Sequence, residues 1–176
     1  MQPGRDNIVL IGFMGAGKTS LGKAVSKSLG VSFLDTDDLI EQAEGKKISE
    51  IFAEKGEEHF RALETQTLRS LAERQGGFVL SVGGGLPLRE ENRPLLHEIG
   101  CVVYLKVGID TLEQRLGDDT KRPLLHQGEG TLREKITRIL AVREPLYLEA
   151  ADVVVRNEHK TFRQAVDEIT ALAGGA

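Results

Sequence analysis

The sequence contains little cysteine and no long apolar segment. Its single cysteine, Cys101, excludes an internal disulfide bond, which fits a reducing compartment. No apolar run approaches the roughly 20 residues that a membrane-spanning helix needs. The N-terminus also lacks the basic region and long apolar stretch of a secretory signal. From these absences we expect a cytoplasmic protein that has no membrane partner.

The chain also lacks an excess of positive charge. Its formal net charge is −4 at pH 7, which argues against a broad nucleic-acid-binding surface. An anionic small molecule would therefore have to be held by a local positive cluster. The four histidines are scattered without the spacing of metal ligands. No heptad pattern or exposed apolar helix is evident, so we expect a monomer.

The length of 176 residues suits one domain, which we place at 1–176. Apolar periodicity and glycine positions predict strands that alternate with helices. The predicted strands are 7–11, 31–34, 78–82, 101–107 and 152–155. The predicted helices are 18–29, 48–55, 57–74, 110–116, 131–150 and 161–172, the fifth disturbed near Pro145. Such alternation indicates an α/β fold with a parallel sheet covered on both faces.

A phosphate-binding motif follows the first predicted strand. Positions 12–19 read Gly-Phe-Met-Gly-Ala-Gly-Lys-Thr, which matches G-x-x-x-x-G-K-[ST]. Glycines let the backbone N–H groups wrap a phosphate, and the next helix adds its positive end. Lys18 can reach the β- and γ-phosphates, and the Thr19 hydroxyl can bind Mg²⁺. The motif predicts binding of a nucleoside triphosphate, but a switch protein or a motor ATPase would carry it too.

Two acidic residues, Asp35 and Asp37, follow the second predicted strand. On an extended segment alternate residues face the same side, so both carboxylates could face the phosphates. One could serve the shell of a metal ion while the other accepts a hydrogen bond from a substrate hydroxyl. The alternative is that Asp37 or Asp38 simply caps the following helix.

Several arginines could bind a carboxylate or phosphate. Arg61 and Glu64 share one helical face, where the glutamate could orient the guanidinium for a carboxylate. Arg143 offers a second such group, and Arg122 lies in a polar, glycine-bounded stretch, 117–130, that we predict to be a mobile loop. Ordinary ion pairs or exposed loop arginines remain open as alternatives. Gly83, Gly84 and Gly85, after the third strand, would permit close approach of backbone to a ligand.

Taken together, these segments resemble the shikimate kinases, which belong to the nucleoside-monophosphate-kinase-like P-loop family. The resemblance covers nearly the whole chain, in family order. It rests on positions 12–19, Asp35-Thr36-Asp37, Phe60-Arg61 with Glu64, Gly83-Gly84-Gly85, Arg122-Pro123-Leu124-Leu125 and Arg143-Glu144-Pro145-Leu146-Tyr147. The resemblance implies a five-stranded parallel sheet, a substrate-binding segment at about 35–61 and a lid at about 117–130.

The resemblance implies ATP-dependent phosphorylation of the 3-hydroxyl of shikimate, giving shikimate 3-phosphate and ADP, in chorismate and aromatic amino-acid biosynthesis. Arg61 and Arg143 would bind the shikimate carboxylate, and Asp37 its hydroxyls. The remaining shikimate contacts would come from Gly83, Gly84 and Gly85. The cofactor would be Mg²⁺, bound by Thr19 directly and by Asp35 through water.

The same resemblance implies the residues of the ATP site and of catalysis. The ATP-binding residues would be Gly15, Ala16, Gly17, Lys18, Thr19, Ser20, Arg115, Arg122 and Lys160. The catalytic residues would be Lys18, Asp37 and Arg122, with Arg122 as the lid arginine. One region departs from the family: an arginine and a proline near adenine are replaced by Lys160 and Phe162.

Two other functions remain open at this stage. A related small-molecule kinase, acting on gluconate or a nucleoside monophosphate, would share the phosphate motif. Two arginines and a hydroxyl-facing aspartate nevertheless suit a polyol carboxylate better than a nucleobase. A non-catalytic nucleotide switch is the other alternative, and it would need no acceptor arginines.

Overall fold

The structure, a computed structural model, describes residues 7–117, 125 and 127–173. Five parallel strands form one sheet in the order β2-β3-β1-β4-β5. The strands are β1 (Ile8–Ile11), β2 (Ser32–Asp35), β3 (Phe78–Ser81), β4 (Cys101–Lys106) and β5 (Val153–Arg156). All residues of β1 and β3 are buried, as expected for inner parallel strands. The predicted α/β fold with a five-stranded parallel sheet is confirmed.

Helices connect the strands and cover both faces of the sheet. They are α1 (Lys18–Leu29), α2 (Thr36–Glu44), α3 (Ile48–Ala72), α4 (Asn92–Ile99), α5 (Ile109–Leu116), α6 (Leu132–Ala150) and α7 (Phe162–Ala173). Helix α1 begins and ends where the sequence predicts, because Gly30 adopts the left-handed conformation with φ 69° and ends it.

The structure differs from the sequence-based predictions in two helical regions and agrees with them in a third. Helix α4 is absent from the sequence-based predictions. Its Pro94 lies in the first turn, where the missing N–H of proline costs no helical hydrogen bond. The helix predicted over 131–150 is observed as α6, but it continues through Pro145 without the predicted disturbance. Gly56 does interrupt helical geometry as predicted, with φ 80° and ψ 174° inside α3.

Apolar side chains on the two faces of the sheet form two separate core clusters. Ile8 and Leu10 point to one cluster, which includes side chains of α1, α5, α6 and α7. Val9 and Ile11 point to the other, which includes side chains of α3 and α4. This alternation follows from the two-residue period of a strand. Within the described residues, none of the helices is long and apolar enough to cross a membrane.

A third, smaller cluster joins α2 to α3. It consists of Ile40, Ile51 and Phe60, with Phe52 packed against the Phe60 ring at 4.8 Å between centroids. This packing holds the predicted substrate-binding segment, 35–61, beside the sheet edge. The predicted lid at 117–130 lies largely outside the described residues, although Leu125 is buried in the core cluster on the α1 face.

Candidate active site

Three polar segments meet at the carboxyl edge of the sheet. They follow β1, β2 and β3, which are neighbours in the sheet, so the topology brings them together. A cavity of about 550 Å³ lies between them. It is lined by Met14, Gly15, Gly17, Lys18, Thr19, Ser20, Leu21, Asp35, Asp37, Ser81, Val82, Gly83, Gly84, Arg115, Asn157 and Phe162. The cavity thus joins the phosphate motif to the acidic pair, Asp35 and Asp37, and to the glycine turn, which is formed by Gly83, Gly84 and Gly85.

The phosphate loop has the geometry that its glycines predict. Gly15 and Gly17 adopt positive φ angles of 78° and 93°, which favour glycine. The Lys18 ammonium donates to the carbonyl oxygens of Gly12 at 2.7 Å and Phe13 at 3.0 Å. These bonds fold the lysine over the loop, at the place where phosphate oxygens would sit. Thr19 and Ser20 are exposed to the cavity, as an ATP site requires.

Ala16 lies in the same loop but does not line the cavity. Its side chain is buried, and its N–H donates to the Phe13 carbonyl at 3.1 Å. The predicted contact of Ala16 with ATP would therefore come from its backbone alone. The residue fits here because a larger side chain would have to enter the packed interior under the loop.

The acidic pair is arranged differently from the extended geometry that the sequence suggests. Asp35 is the last residue of β2 and also the N-cap of α2, where its carboxylate accepts from the Asp37 N–H at 2.9 Å. Asp37 therefore lies in the first turn of α2, not on a strand. The alternative that an aspartate caps the following helix was right, but the capping residue is Asp35 and not Asp37 or Asp38. Asp38 is exposed to solvent.

Burial, and after it the nearby Asp35 carboxylate, raise the pKa of Asp37 to about 6, although the positive charge of Lys18 lowers it. Burial likewise raises the pKa of Asp35, whereas hydrogen bonds from the Asp37 N–H and Ser81 lower it. Two carboxylates in one partly buried site repel each other. The site therefore favours a cation, or a hydroxyl donor, between them.

The residues present fit a magnesium ion. Thr19 and Asp35 both present oxygen atoms to the cavity, and oxygen is the ligand that Mg²⁺ prefers. The described part of the chain holds no cluster of three or more histidine, cysteine or acidic residues that could enclose a metal ion. Such an ion would therefore depend on phosphate oxygens and water for most of its ligands, as Mg²⁺ in nucleotide sites does.

The glycine turn after β3 is held in place by its neighbours. The Gly83 N–H donates to the Thr36 hydroxyl at 3.1 Å, and the Tyr147 hydroxyl donates to the Gly84 carbonyl at 2.5 Å. A Cβ atom at Gly85 would lie 2.6 Å from an Arg61 guanidinium nitrogen. A side chain at position 85 would therefore require the Arg61 guanidinium to move away from this backbone.

Arg61 is anchored by a buried glutamate, as its spacing predicts. It donates to Glu64 at 2.7 Å, and Glu57 lies 3.4 Å from its other terminal nitrogen. Glu64 is 1% exposed, and burial raises its pKa to about 6, although Arg61 pulls that pKa down. The ion pair with Glu64 holds the Arg61 guanidinium beside the glycine turn. In that position the guanidinium could also contact an anion.

Arg143 reaches the other side of the same turn from α6. It is 8% exposed and lies over the Phe13 ring, 5.9 Å from its centroid. A Cβ atom at Gly84 would lie 3.3 Å from an Arg143 guanidinium nitrogen. Arg61 and Arg143 therefore flank the glycine turn, next to the phosphate loop. This is the local positive cluster that an acidic chain needs for an anionic substrate.

Of the two residues outside segment 12–20 and the lid that were predicted to bind ATP, Arg115 and Lys160, the structure places only Arg115 at the cavity, at the end away from Asp37. Arg115 lines this end and donates to the Gly15 carbonyl at 2.9 Å, which places its side chain beside the phosphate loop. Lys160 is not among the lining residues; it pairs with Glu168 on α7. Asn157 and Phe162 line this end instead.

Three residues of the site, Ser81, Thr36 and Tyr147, were not predicted as site residues from the sequence, and one predicted residue is outside the part of the chain that the structure describes. Ser81 lines the cavity because it is paired with Asp35 across β2 and β3, a register that only the sheet defines. Thr36 and Tyr147 hold the glycine turn from a distance in sequence. Arg122 is outside the described residues, so its predicted role at the phosphates stays a prediction.

Comparisons with known proteins agree with this geometry. A family model described as shikimate kinase matches residues 14–173. The shikimate kinase of Dictyoglomus turgidum is 44% identical over 169 residues, which cover 94% of each chain. That of Chlorobium chlorochromatii is also 44% identical, over 97% of this chain and 92% of its own.

A solved structure extends the agreement to three dimensions. Shikimate kinase from Acinetobacter baumannii, determined in complex with shikimate, superposes with a TM-score of 0.85 at 39% identity. The match covers 94% of this chain and 91% of that one. With the family model, close relatives and fold in agreement, this chain belongs to the shikimate kinase family.

Proposed function

We propose that the protein transfers the γ-phosphoryl group of ATP to the 3-hydroxyl of shikimate, giving shikimate 3-phosphate and ADP. The observation that carries the proposal is the pair of arginines, Arg61 and Arg143, flanking a glycine turn beside the phosphate loop. ATP use follows from family membership and from that loop. The acceptor must bring a negative group to the arginines and a hydroxyl towards Asp37, and shikimate has both.

The residues divide into a donor side and an acceptor side. The loop N–H groups, Lys18 and the start of α1 would bind the triphosphate and stabilise charge on the transferring phosphoryl group. Arg115, with Asn157 and Phe162, would enclose the nucleotide at the far end. Bound Mg²⁺, held by Thr19 and by Asp35 through water, would neutralise charge on the phosphates.

On the acceptor side, Arg61 and Arg143 would bind the carboxylate and so fix the ring of the substrate. Asp37 would accept a hydrogen bond from the reacting hydroxyl and orient its oxygen towards the γ-phosphate. In a loose transition state this orientation matters more than early proton removal. Gly83, Gly84 and Gly85 would let the substrate ring approach the backbone.

The wider organisation belongs to the same proposal. We propose that residues 1–176 act as one kinase domain, with substrate bound by segment 35–61 and a lid at 117–130 carrying Arg122. The packing of α2 on α3 supports the first of these segments. The protein would act as a monomer in the cytoplasm, with small molecules as its ligands and no nucleic-acid or membrane partner.

A parallel assay tests the proposed reaction against its alternatives. ADP release would be measured with shikimate, gluconate and nucleoside monophosphates, each with and without Mg²⁺. We expect turnover with shikimate alone among them, and its loss when Mg²⁺ is chelated. Preferred turnover of gluconate or a nucleotide would reassign the acceptor, and absence of any turnover despite ATP binding would favour a switch.

Removing either flanking arginine should weaken shikimate binding. For Arg61→Ala and for Arg143→Ala we expect a loss of roughly 1.5–3 kcal/mol, or about ten- to a hundredfold in Kd. The reason is the loss of a charged hydrogen-bond partner for the carboxylate. Calorimetric titration with shikimate measures the loss.

Two controls make that result specific. Arg69→Ala removes an exposed arginine from the same helix α3 and should leave Kd unchanged. A shikimate analogue without its carboxylate should bind the native protein poorly and distinguish little between native and variant proteins. Equal losses for both ligands on mutation would contradict the assignment of these arginines to the carboxylate.

A further inference from the structure

The glycine turn has no side chains of its own, and its position depends on three buried groups from three helices. Thr36 of α2 accepts from the Gly83 N–H, Tyr147 of α6 donates to the Gly84 carbonyl, and Asn92 of α4 donates to the Leu86 carbonyl at 2.9 Å. Each of these three side chains is 0% exposed. Because these side chains are fully buried, we expect them to act on a ligand through the turn and not by direct contact.

Tyr147 differs from the other two because it follows Arg143 by four residues on α6, which places both side chains on one face of the helix. Burial raises the pKa of the Tyr147 hydroxyl, and the nearby positive charge of Arg143 lowers that pKa by less. The hydroxyl therefore stays protonated at neutral pH and remains a donor to Gly84. The hydroxyl therefore holds the backbone beside which the Arg143 guanidinium lies, 3.3 Å from the place a Cβ atom of Gly84 would take.

The bond from Tyr147 also fixes the orientation of one peptide group. The Gly84 carbonyl and the Gly85 N–H belong to the same peptide, and no described peptide bond is cis. In a trans peptide the two groups point in opposite directions, so the Gly85 N–H points away from Tyr147. Consecutive glycines could otherwise rotate this peptide, since glycine tolerates both signs of φ.

We propose that Tyr147 is a positioning residue for the acceptor: its hydroxyl holds the glycine turn against Arg143 in the arrangement that binds the substrate carboxylate. This inference rests on the proposed function. Without the hydroxyl, the peptide between Gly84 and Gly85 is free to turn and Arg143 loses a fixed neighbour. Substrate binding then has to select one arrangement among several, and the apparent affinity falls accordingly.

The test compares two buried tyrosines whose rings pack against each other, 5.2 Å apart between centroids. Tyr147→Phe removes the hydroxyl that holds the turn. Tyr104→Phe removes a hydroxyl from the same aromatic pair, but that hydroxyl bonds to Glu144 at 3.4 Å and not to the turn. The two variants lose the same atom from neighbouring positions, so they separate positioning from packing.

For Tyr147→Phe we expect the KM and Kd for shikimate to rise about three- to tenfold, the range of one lost hydrogen bond. The kcat at saturating shikimate, the KM for ATP and the Tm should stay close to native values. Tyr104→Phe should leave the KM for shikimate unchanged. Equal KM values in the two variants would overturn the inference, as would a Tyr147→Phe variant that loses kcat, ATP affinity and Tm together.

A measurement without substrate separates this inference from the proposed function. In the ligand-free protein, the Gly83 and Leu86 N–H groups are hydrogen-bonded at 3.1 Å each. We expect their amide exchange to become several times faster in Tyr147→Phe but not in Tyr104→Phe. Native protein that fails to use shikimate refutes the proposed function alone, whereas unchanged exchange in Tyr147→Phe refutes the positioning of the turn.

Discussion

Replacing Lys18 by alanine should lower kcat by about 10³-fold, the effect of removing a main donor to developing charge. The Lys18 ammonium is held over the phosphate loop by the Gly12 and Phe13 carbonyls, so it is already aimed at the bound phosphates. Such preorganisation matters most when negative charge is redistributed in phosphoryl transfer. Steady-state turnover at saturating ATP and shikimate measures the loss.

Shikimate binding should largely survive the same change, because Lys18 acts on the donor side. Calorimetry of Lys18→Ala with shikimate alone should give a Kd within about threefold of native, which is about 0.6 kcal/mol. Lys27→Ala, an exposed lysine in the last turn of the same helix, is the matched control and should behave as native. Lost shikimate binding together with normal ATP turnover would contradict the role of Lys18.

The second large effect is expected at Asp37. Asp37→Asn should lower kcat by about 10²-fold or more, in the range of a lost acid–base group. The amide keeps the shape of the side chain but cannot accept the hydroxyl hydrogen bond with a full negative charge. Asp38→Asn is the control, since Asp38 is the next residue of the same helical turn and is exposed to solvent.

The difference in kcat between the two variants should follow from the positions of Asp37 and Asp38 relative to the cavity. Asp37 lies in the cavity and Asp38 does not, so Asp38→Asn should keep kcat within about twofold of native, as surface changes usually do. A larger loss for Asp38→Asn than for Asp37→Asn would show that the other carboxylate faces the substrate.

Asp37→Asn should also stabilise the ligand-free protein at neutral pH. The pKa of Asp37 is about 6 in the folded state, above the ordinary 3.8. The folded state therefore binds the proton more tightly, and the stability linked to Asp37 falls as pH rises from about 3.8 through 6. Thermal unfolding in a chelator should give Asp37→Asn the higher Tm above pH 6, with the difference shrinking as pH falls. A lower Tm for the variant at pH 7.5 would contradict the pKa shift.

Local sequence patterns predicted most of the fold because the strands are buried and the glycines have fixed conformations. A continuous apolar run before the phosphate motif predicted β1, and Gly30 correctly marked the end of α1. Helix α4 was not predicted, and its sequence is ambiguous because a proline such as Pro94 fits the first turn of a helix but disrupts its interior. Local patterns do not reveal which of these applies.

The sequence by itself determined the chemistry of the donor side. A phosphate loop is contiguous, and its glycines, Lys18 and Thr19 act through neighbouring backbone, so eight successive residues specify it. Arg61 and Glu64 were predictable for the same reason, since one helical turn places them together and the pair is observed at 2.7 Å.

Only the tertiary structure decided how the acceptor side is assembled. Asp35 became a helix cap, Arg143 was brought from α6 to a turn that follows β3, and Tyr147 was placed on a carbonyl 63 residues away in sequence. Phe162 and Asn157 likewise reached the cavity although Lys160, between them, did not. These placements arise from the packing of helices on a sheet whose strand order differs from chain order, and local propensities carry no information about such distant contacts.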